Sequence, residues 1–156
     1  VQKGTEVWVE LPAHAVAIEA GASKAMEGAA HASQDIRARI LVADDEPPVA
    51  RALKRALAQH DVVVVNNGKD ALAAWAKEPF DVMFCDVMMP GLMGMDIYEA
   101  LKEQGDGYHE RIIFMSGGAF TPEAQNFLRA VENPNIEKPF DLKQVKSLAL
   151  EVASRS

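Results

Sequence analysis

From residue 39 onward, continuous apolar runs of four or five residues alternate with longer segments in which apolar positions recur every three or four residues. A short uninterrupted apolar run suits a strand covered on both faces, and the longer period suits an amphipathic helix. Strands are predicted at 40–43 (ILVA), 62–66 (VVVVN), 82–85 (VMFC) and 112–115 (IIFM), with a short fifth near Ile136. A helix is predicted after each. The first places Val49, Ala52, Leu53, Ala56 and Leu57 on one stripe and turns Arg51, Lys54 and Arg55 to water, with Pro47 and Pro48 in its opening turn. The others run over 69–76, 97–104, 122–131 and 142–153. Regular alternation of strand and helix predicts an α/β domain, a doubly wound parallel sheet with helices on both faces.

This pattern begins only at about Arg37. Residues 13–36 are dominated by Ala, contain Gly21 and Gly28 and lack aromatic side chains, so they offer little to anchor them in a core and are read as a linker. A solvent-exposed helix over 15–26 is the competing reading, but its glycines and short span make such a helix marginal. At 156 residues, with 49% hydrophobic and 25% charged positions, the chain has room for one ordinary domain and an appendage. A net charge of -7 and the lack of a basic cluster argue against a nucleic-acid partner. The apolar runs fall far short of the roughly 20 residues a spanning helix needs. No signal peptide opens the chain. The segment is therefore expected to be cytoplasmic and to make no membrane contact. The single cysteine, Cys85, lies inside an apolar run and reads as a core residue.

The carboxyl ends of the predicted strands carry the chemistry, as they do in parallel α/β sheets generally. The first runs into Asp44-Asp45-Glu46, the third into Asp86, the fourth into Ser116-Gly117-Gly118 and the fifth into Lys138-Pro139-Phe140. Carboxylates crowded together raise one another's pKa unless a cation neutralises them. A hard divalent ion such as Mg2+, held by a few carboxylates and several waters, meets that need and is the usual partner of a phosphoryl group. Singly, each residue has a plainer use. An acidic pair caps a helix, Asp86 forms a turn before Pro90-Gly91, Ser116 opens a glycine turn, and Lys138 is a solvated charge. Four such coincidences on four strand ends favour one shared site. Met88, Met89, Met93 and Met95 read as adaptable packing, because thioethers do not suit Mg2+.

Over residues 37–156 these features together resemble the receiver domain of bacterial two-component response regulators. The motifs are ILVADDE at 40–46, the run D-V-M-M-P-G at 86–91 continuing to Gly94, FMSGG at 114–118 and EKPF at 137–140, all in family order and spacing. The resemblance implies the flavodoxin-like (βα)5 receiver fold with strand order 2-1-3-4-5. It implies that Asp86 accepts a phosphoryl group from the phosphohistidine of a histidine kinase or phosphotransfer domain, in a Mg2+-dependent reaction. The metal would be held by Asp45, Asp86 and the backbone carbonyl of Met88, with Asp44 acting through water. The Ser116 hydroxyl and the Lys138 ammonium would bind phosphoryl oxygens, and the Lys138-Pro139 bond would be cis. Asn135 departs from the pattern. Many receivers carry an aromatic residue three positions before the lysine, where its ring reports phosphorylation by moving inward.

Other functions fit less well. An aspartate-nucleophile phosphatase similar to the haloacid dehalogenases needs a second acid two residues after the nucleophile, where this chain has Met88. A flavin site would need a glycine- and hydroxyl-rich phosphate loop after the first strand, and ADDEPP would repel a phosphate. A degenerate receiver serving only as a protein-interaction module would not keep Asp45, Asp86, Ser116 and Lys138. At the other end, GTEVWVELP at 4–12 resembles the final strand of a histidine-kinase ATP-binding domain, with Val7, Val9 and Leu11 on one face. Residues 1–12 are thus read as a remnant of that domain, 13–36 as the linker and 37–156 as the receiver. Together they imply the carboxyl end of a hybrid histidine kinase. This chain has no ATP site of its own, and His14, His31, His60 and His109 do not resemble a phosphorylated kinase histidine.

Overall fold

Five parallel strands form one sheet: β1 (Arg39–Ala43), β2 (Asp61–Val65), β3 (Val82–Asp86), β4 (Ile112–Ser116) and β5 (Asn135–Glu137), in the order β2-β1-β3-β4-β5. The computed structural model describes residues 37–118 and 121–156. The strand expected over 1–12 and the linker expected over 13–36 lie outside the described residues.

The sequence explains why this sheet is covered on both sides. Alternate residues of one strand point to opposite faces, and in β1 both sets are apolar, so each face needs its own helical layer. Ile40 and Val42 pack with Leu53 of α1 (Pro47–Ala56), with Leu57 just after it, and with Val145, Ala149 and Val152 of α5 (Leu142–Ala153). Leu41 and Ala43 pack on the other face with Trp75 of α2 (Gly68–Lys77), Ile97 and Leu101 of α3 (Gly94–Glu103) and Ala124 of α4 (Pro122–Ala130). Asn67, Thr121 and Asp141 cap α2, α4 and α5 by accepting the backbone N–H groups of Asp70, Ala124 and Lys143. Among the described residues, no helix is long and apolar enough to cross a membrane.

The structure departs from the expected elements or adds to them in three places. The buried stripe of α1 uses Ala50, Leu53 and Ala56, whereas Ala52 is exposed. Ala is too small for hydropathy to say which of two alanines faces the sheet. A 3-10 turn at Tyr108–Arg111 enters β4, in a stretch (YHER) with no apolar period to announce it. β3 and β4 also run one residue beyond their apolar cores, so Asp86 and Ser116 are the last residues of strands rather than the first of loops. Asp86 pairs in register with Met115, and Val87 N–H donates to the Met115 carbonyl at 3.0 Å. That ladder fixes the backbone under Asp86.

Candidate functional site

The parallel strand order brings the carboxyl ends of β1, β3 and β5 to one edge of the sheet. Asp44 follows β1 directly and its N–H donates to the Val65 carbonyl at 3.2 Å, which ties it to the neighbouring strand. Its side chain is wholly buried. Asp44 Oδ1 accepts the Glu46 N–H at 2.8 Å, and Asp44 Oδ2 lies 2.9 Å from the Lys138 ammonium. Asp86 Oδ1 accepts the Met88 N–H at 3.0 Å, and Asp86 Oδ2 accepts from Lys138 Nζ at 2.8 Å. Lys138 Nζ also donates to Glu46 Oε1 at 2.9 Å. One ammonium therefore serves three carboxylates. A cis peptide joins Lys138 to Pro139, and Lys138 N–H donates to the Ser116 carbonyl at 2.7 Å, which fastens β5 to the end of β4.

The electrostatics follow from this shared cation. Burial pushes the Asp44 carboxyl above its ordinary pKa; the Lys138 ammonium and the Glu46 N–H oppose this but do not cancel it, and the Asp86 charge adds to the rise. Burial alone would lower Lys138, but its close contacts with Asp86, Asp44 and Glu46 outweigh it and hold the ammonium above the usual lysine range. The two directions agree physically. A cation among three anions is strongly held, while each anion receives only part of it. Cys85 is fully buried, and burial together with the Asp86 and Asp44 charges raises its thiol well above the ordinary range. It is no nucleophile.

Carboxylate oxygens of Asp44, Asp45 and Asp86 lie within 4.8 Å of one another. These residues fit a hard divalent cation such as Mg2+. The donors are all oxygens, and the buried Asp44 Oδ2 has no well-directed hydrogen bond, being balanced only by the nearby Lys138 charge.

The remaining predicted residues sit at the margin. Ser116 is buried, and its hydroxyl donates to the Ile136 carbonyl at 3.4 Å, a long bond aimed toward β5 rather than the carboxylates. Met88 is half-buried and packs against the α2–α3 side of the core with Met89 and Leu92. Asn135 is the exposed first residue of β5, opposite Phe114. Sequence reasoning assigned Glu46 no role. Its only signal was a third acid beside the pair, and the residue that makes it matter lies 92 positions away.

Comparison with known proteins agrees with this architecture. A family described as the response regulator receiver domain matches residues 40–149. The transcriptional regulatory protein PcoR of Escherichia coli is 31% identical over 109 residues, which are 69% of this chain and 47% of that protein. The sensory/regulatory protein RpfC of Xanthomonas campestris is 36% identical over 97 residues, 60% of this chain and 13% of its own length. The chain thus spans about half of one relative and a small part of the other. Among solved structures, the Francisella response regulator 1452 receiver domain superposes with a TM-score of 0.65 at 26% identity, covering 76% of this chain and 98% of that one. A sensor protein from Polaromonas sp. JS666 has the same fold, with a TM-score of 0.66 at 24% identity over 76% of this chain and 98% of that one. With the family match over most of the chain and the fold in the predicted strand order, the chain belongs to the response regulator receiver domain family of two-component systems.

Proposed function

We propose that this receiver accepts a phosphoryl group onto Asp86 from the phosphohistidine of a histidine kinase or phosphotransfer domain, and that it does so as one module of a hybrid histidine kinase. The observation that carries the reading is the buried Asp86 carboxylate, held on the last residue of a central strand, with the Lys138 ammonium 2.8 Å from one of its oxygens. An Asp86 oxygen attacks phosphorus, the bond from phosphorus to the histidine nitrogen breaks, and its electron pair leaves on the imidazole. Lys138 balances charge gathering on the phosphoryl oxygens. The long Ser116 bond to Ile136 is easily surrendered, so its hydroxyl can turn to a phosphoryl oxygen. Asp45, Asp86 and the Met88 carbonyl would hold Mg2+, with Asp44 acting through water. When bound, that ion would neutralise the acid cluster and polarise the phosphoryl group.

The hybrid-kinase context rests on the kinase-like strand motif at 4–12 and on the likeness to a sensory/regulatory protein of which this chain spans 13%. Residues 37–156 are the receiver unit in this reading. Incubation with acetyl phosphate and Mg2+ should add one phosphoryl group per chain by intact mass, and Asp86→Asn should add none. Uptake by the Asn variant at the wild-type level would show that another residue is the acceptor.

A further inference from the structure

The Asp44-Asp45-Glu46 run supplies one acid more than the proposed site uses. Its third member is the one whose side chain reaches Lys138 from outside. The Lys138 ammonium donates to Asp86 and Glu46 at 2.8 and 2.9 Å, and a third carboxylate, Asp44, lies 2.9 Å away without a well-directed hydrogen bond. The donor on its exposed side is already taken by Glu46. The side chains of Asp44 and Asp86 are 0% and 7% exposed and are tied by backbone N–H groups to their other oxygens. Glu46 is 58% exposed and holds Lys138 through a single oxygen, with no other hydrogen bond from its side chain among the described residues. It is the partner that yields at least cost, since an exposed ion pair contributes little and its carboxylate is well hydrated once released.

We infer that Glu46 is a positioning residue that occupies the phosphoryl oxygen's place on Lys138 and must be displaced before Asp86 can be phosphorylated. The inference rests on the proposed phosphoacceptor role of Asp86. It gives Glu46 two effects: it holds the lysine extended and pointed at the acceptor between events, and it competes with the incoming group for the same N–H. When a phosphoryl group departs, Glu46 returns to the vacated donor. Because Glu46 precedes α1 without capping it through its side chain, shortening that side chain removes no helix cap.

Three variants separate this competition from simple charge repulsion. Glu46→Gln and Glu46→Ala remove the charge, whereas Glu46→Asp keeps the charge but is one methylene too short to span to Lys138. Phosphorylation by acetyl phosphate is followed by intact mass at donor concentrations well below saturation. In this step an Asp86 oxygen bonds to phosphorus as the phosphorus–oxygen bond to acetate breaks and acetate leaves with the electron pair. All three variants should be faster than wild type by about three- to fivefold, the scale of one exposed ion pair, with the gain in the apparent donor affinity and the saturating rate little changed. A second readout needs neither donor nor metal. The Lys138 side-chain ammonium signal in nitrogen-15 spectra of metal-free protein should move in every variant. Acceleration confined to Gln and Ala, with Asp at the wild-type rate, would reduce Glu46 to a surface charge and overturn the proposal. So would an ammonium signal unmoved in all three. Wild-type protein that takes up no phosphoryl group at Asp86 would instead overturn the acceptor reading, with the ammonium signal still deciding whether Glu46 holds Lys138.

Discussion

At the scale of single residues, the site is governed by how many partners each charge has. Lys138 has three, and its proton is correspondingly secure; Asp44 shares that lysine and is fully desolvated, so its ionised form is the costly one. Asp45 differs from both. It is half-buried, and its side chain makes no hydrogen bond or ion pair among the described residues, yet one of its oxygens lies within 4.8 Å of those of Asp44 and Asp86. A carboxylate placed beside two others without a protein partner adds repulsion to the fold and supplies only ligand capacity. Asp45→Ala is therefore expected to weaken Mg2+ binding at least tenfold, the scale on which removing metal-site partners acts, while leaving the thermal midpoint of metal-free protein unchanged or slightly raised. Calorimetric titration and a melt in chelator check the two halves. Unchanged metal affinity would remove Asp45 from the shell, and a large loss of midpoint would show that it has a structural partner.

At the scale of elements, the loop from β3 to α3 determines where Asp86 sits. Gly94, the first residue of α3, packs directly on that backbone: a Cβ there would lie 2.9 Å from the Asp86 carbonyl oxygen and 3.1 Å from Val87 Cα. Both are main-chain atoms at the end of β3, held by its ladder and by the Val87 N–H bond to the Met115 carbonyl, so they cannot move aside as a flexible side chain would. Gly94→Ala is expected to destabilise the domain by about 1–3 kcal/mol in urea unfolding, and to slow labelling of Asp86 by shifting its backbone. A variant as stable and as readily labelled as wild type would show that the loop yields without moving the strand. Much at this scale is legible in the sequence. Strands buried on both faces write themselves as apolar runs, and strand ends that gather charged residues write the location of the site. What escapes is set by contacts remote in sequence. Hydropathy cannot choose Ala50 over Ala52, and the Tyr108–Arg111 turn carries no apolar period, although Gly107 before it, at φ 72°, is the sort of residue that marks such an entry. The hold of Glu46 on Lys138 and the turn of Ser116 toward Ile136 both depend on which strands the fold makes neighbours.

At the scale of the whole molecule, the acid cluster at the sheet's edge is a local excess of negative charge on a chain whose net charge is already -7. Four carboxylates, those of Asp44, Asp45, Glu46 and Asp86, converge with the single ammonium of Lys138. Unfolding disperses them into water, where their mutual repulsion is weak, so the metal-free fold bears a cost that the unfolded chain escapes. A cation bound only by the folded form offsets it by mass action, by about 2.7 kcal/mol at a hundred times the dissociation constant. For a domain of this size, each kcal/mol moves the midpoint by roughly 4 °C. Saturating Mg2+ should then raise the midpoint by about 10 °C over protein in chelator. The control is NaCl at matched ionic strength. Exposed charges are screened within about 10 Å at 0.1 M salt, whereas buried ones are screened much less, so NaCl should recover only the small part of the gain that comes from Glu46 and the surface. Asp45→Ala should keep the NaCl response and lose most of the Mg2+ response at the same concentration. If NaCl matched Mg2+ in wild-type protein, the cluster would be relieved by general screening, and the case for a bound divalent ion at Asp44, Asp45 and Asp86 would fall with it.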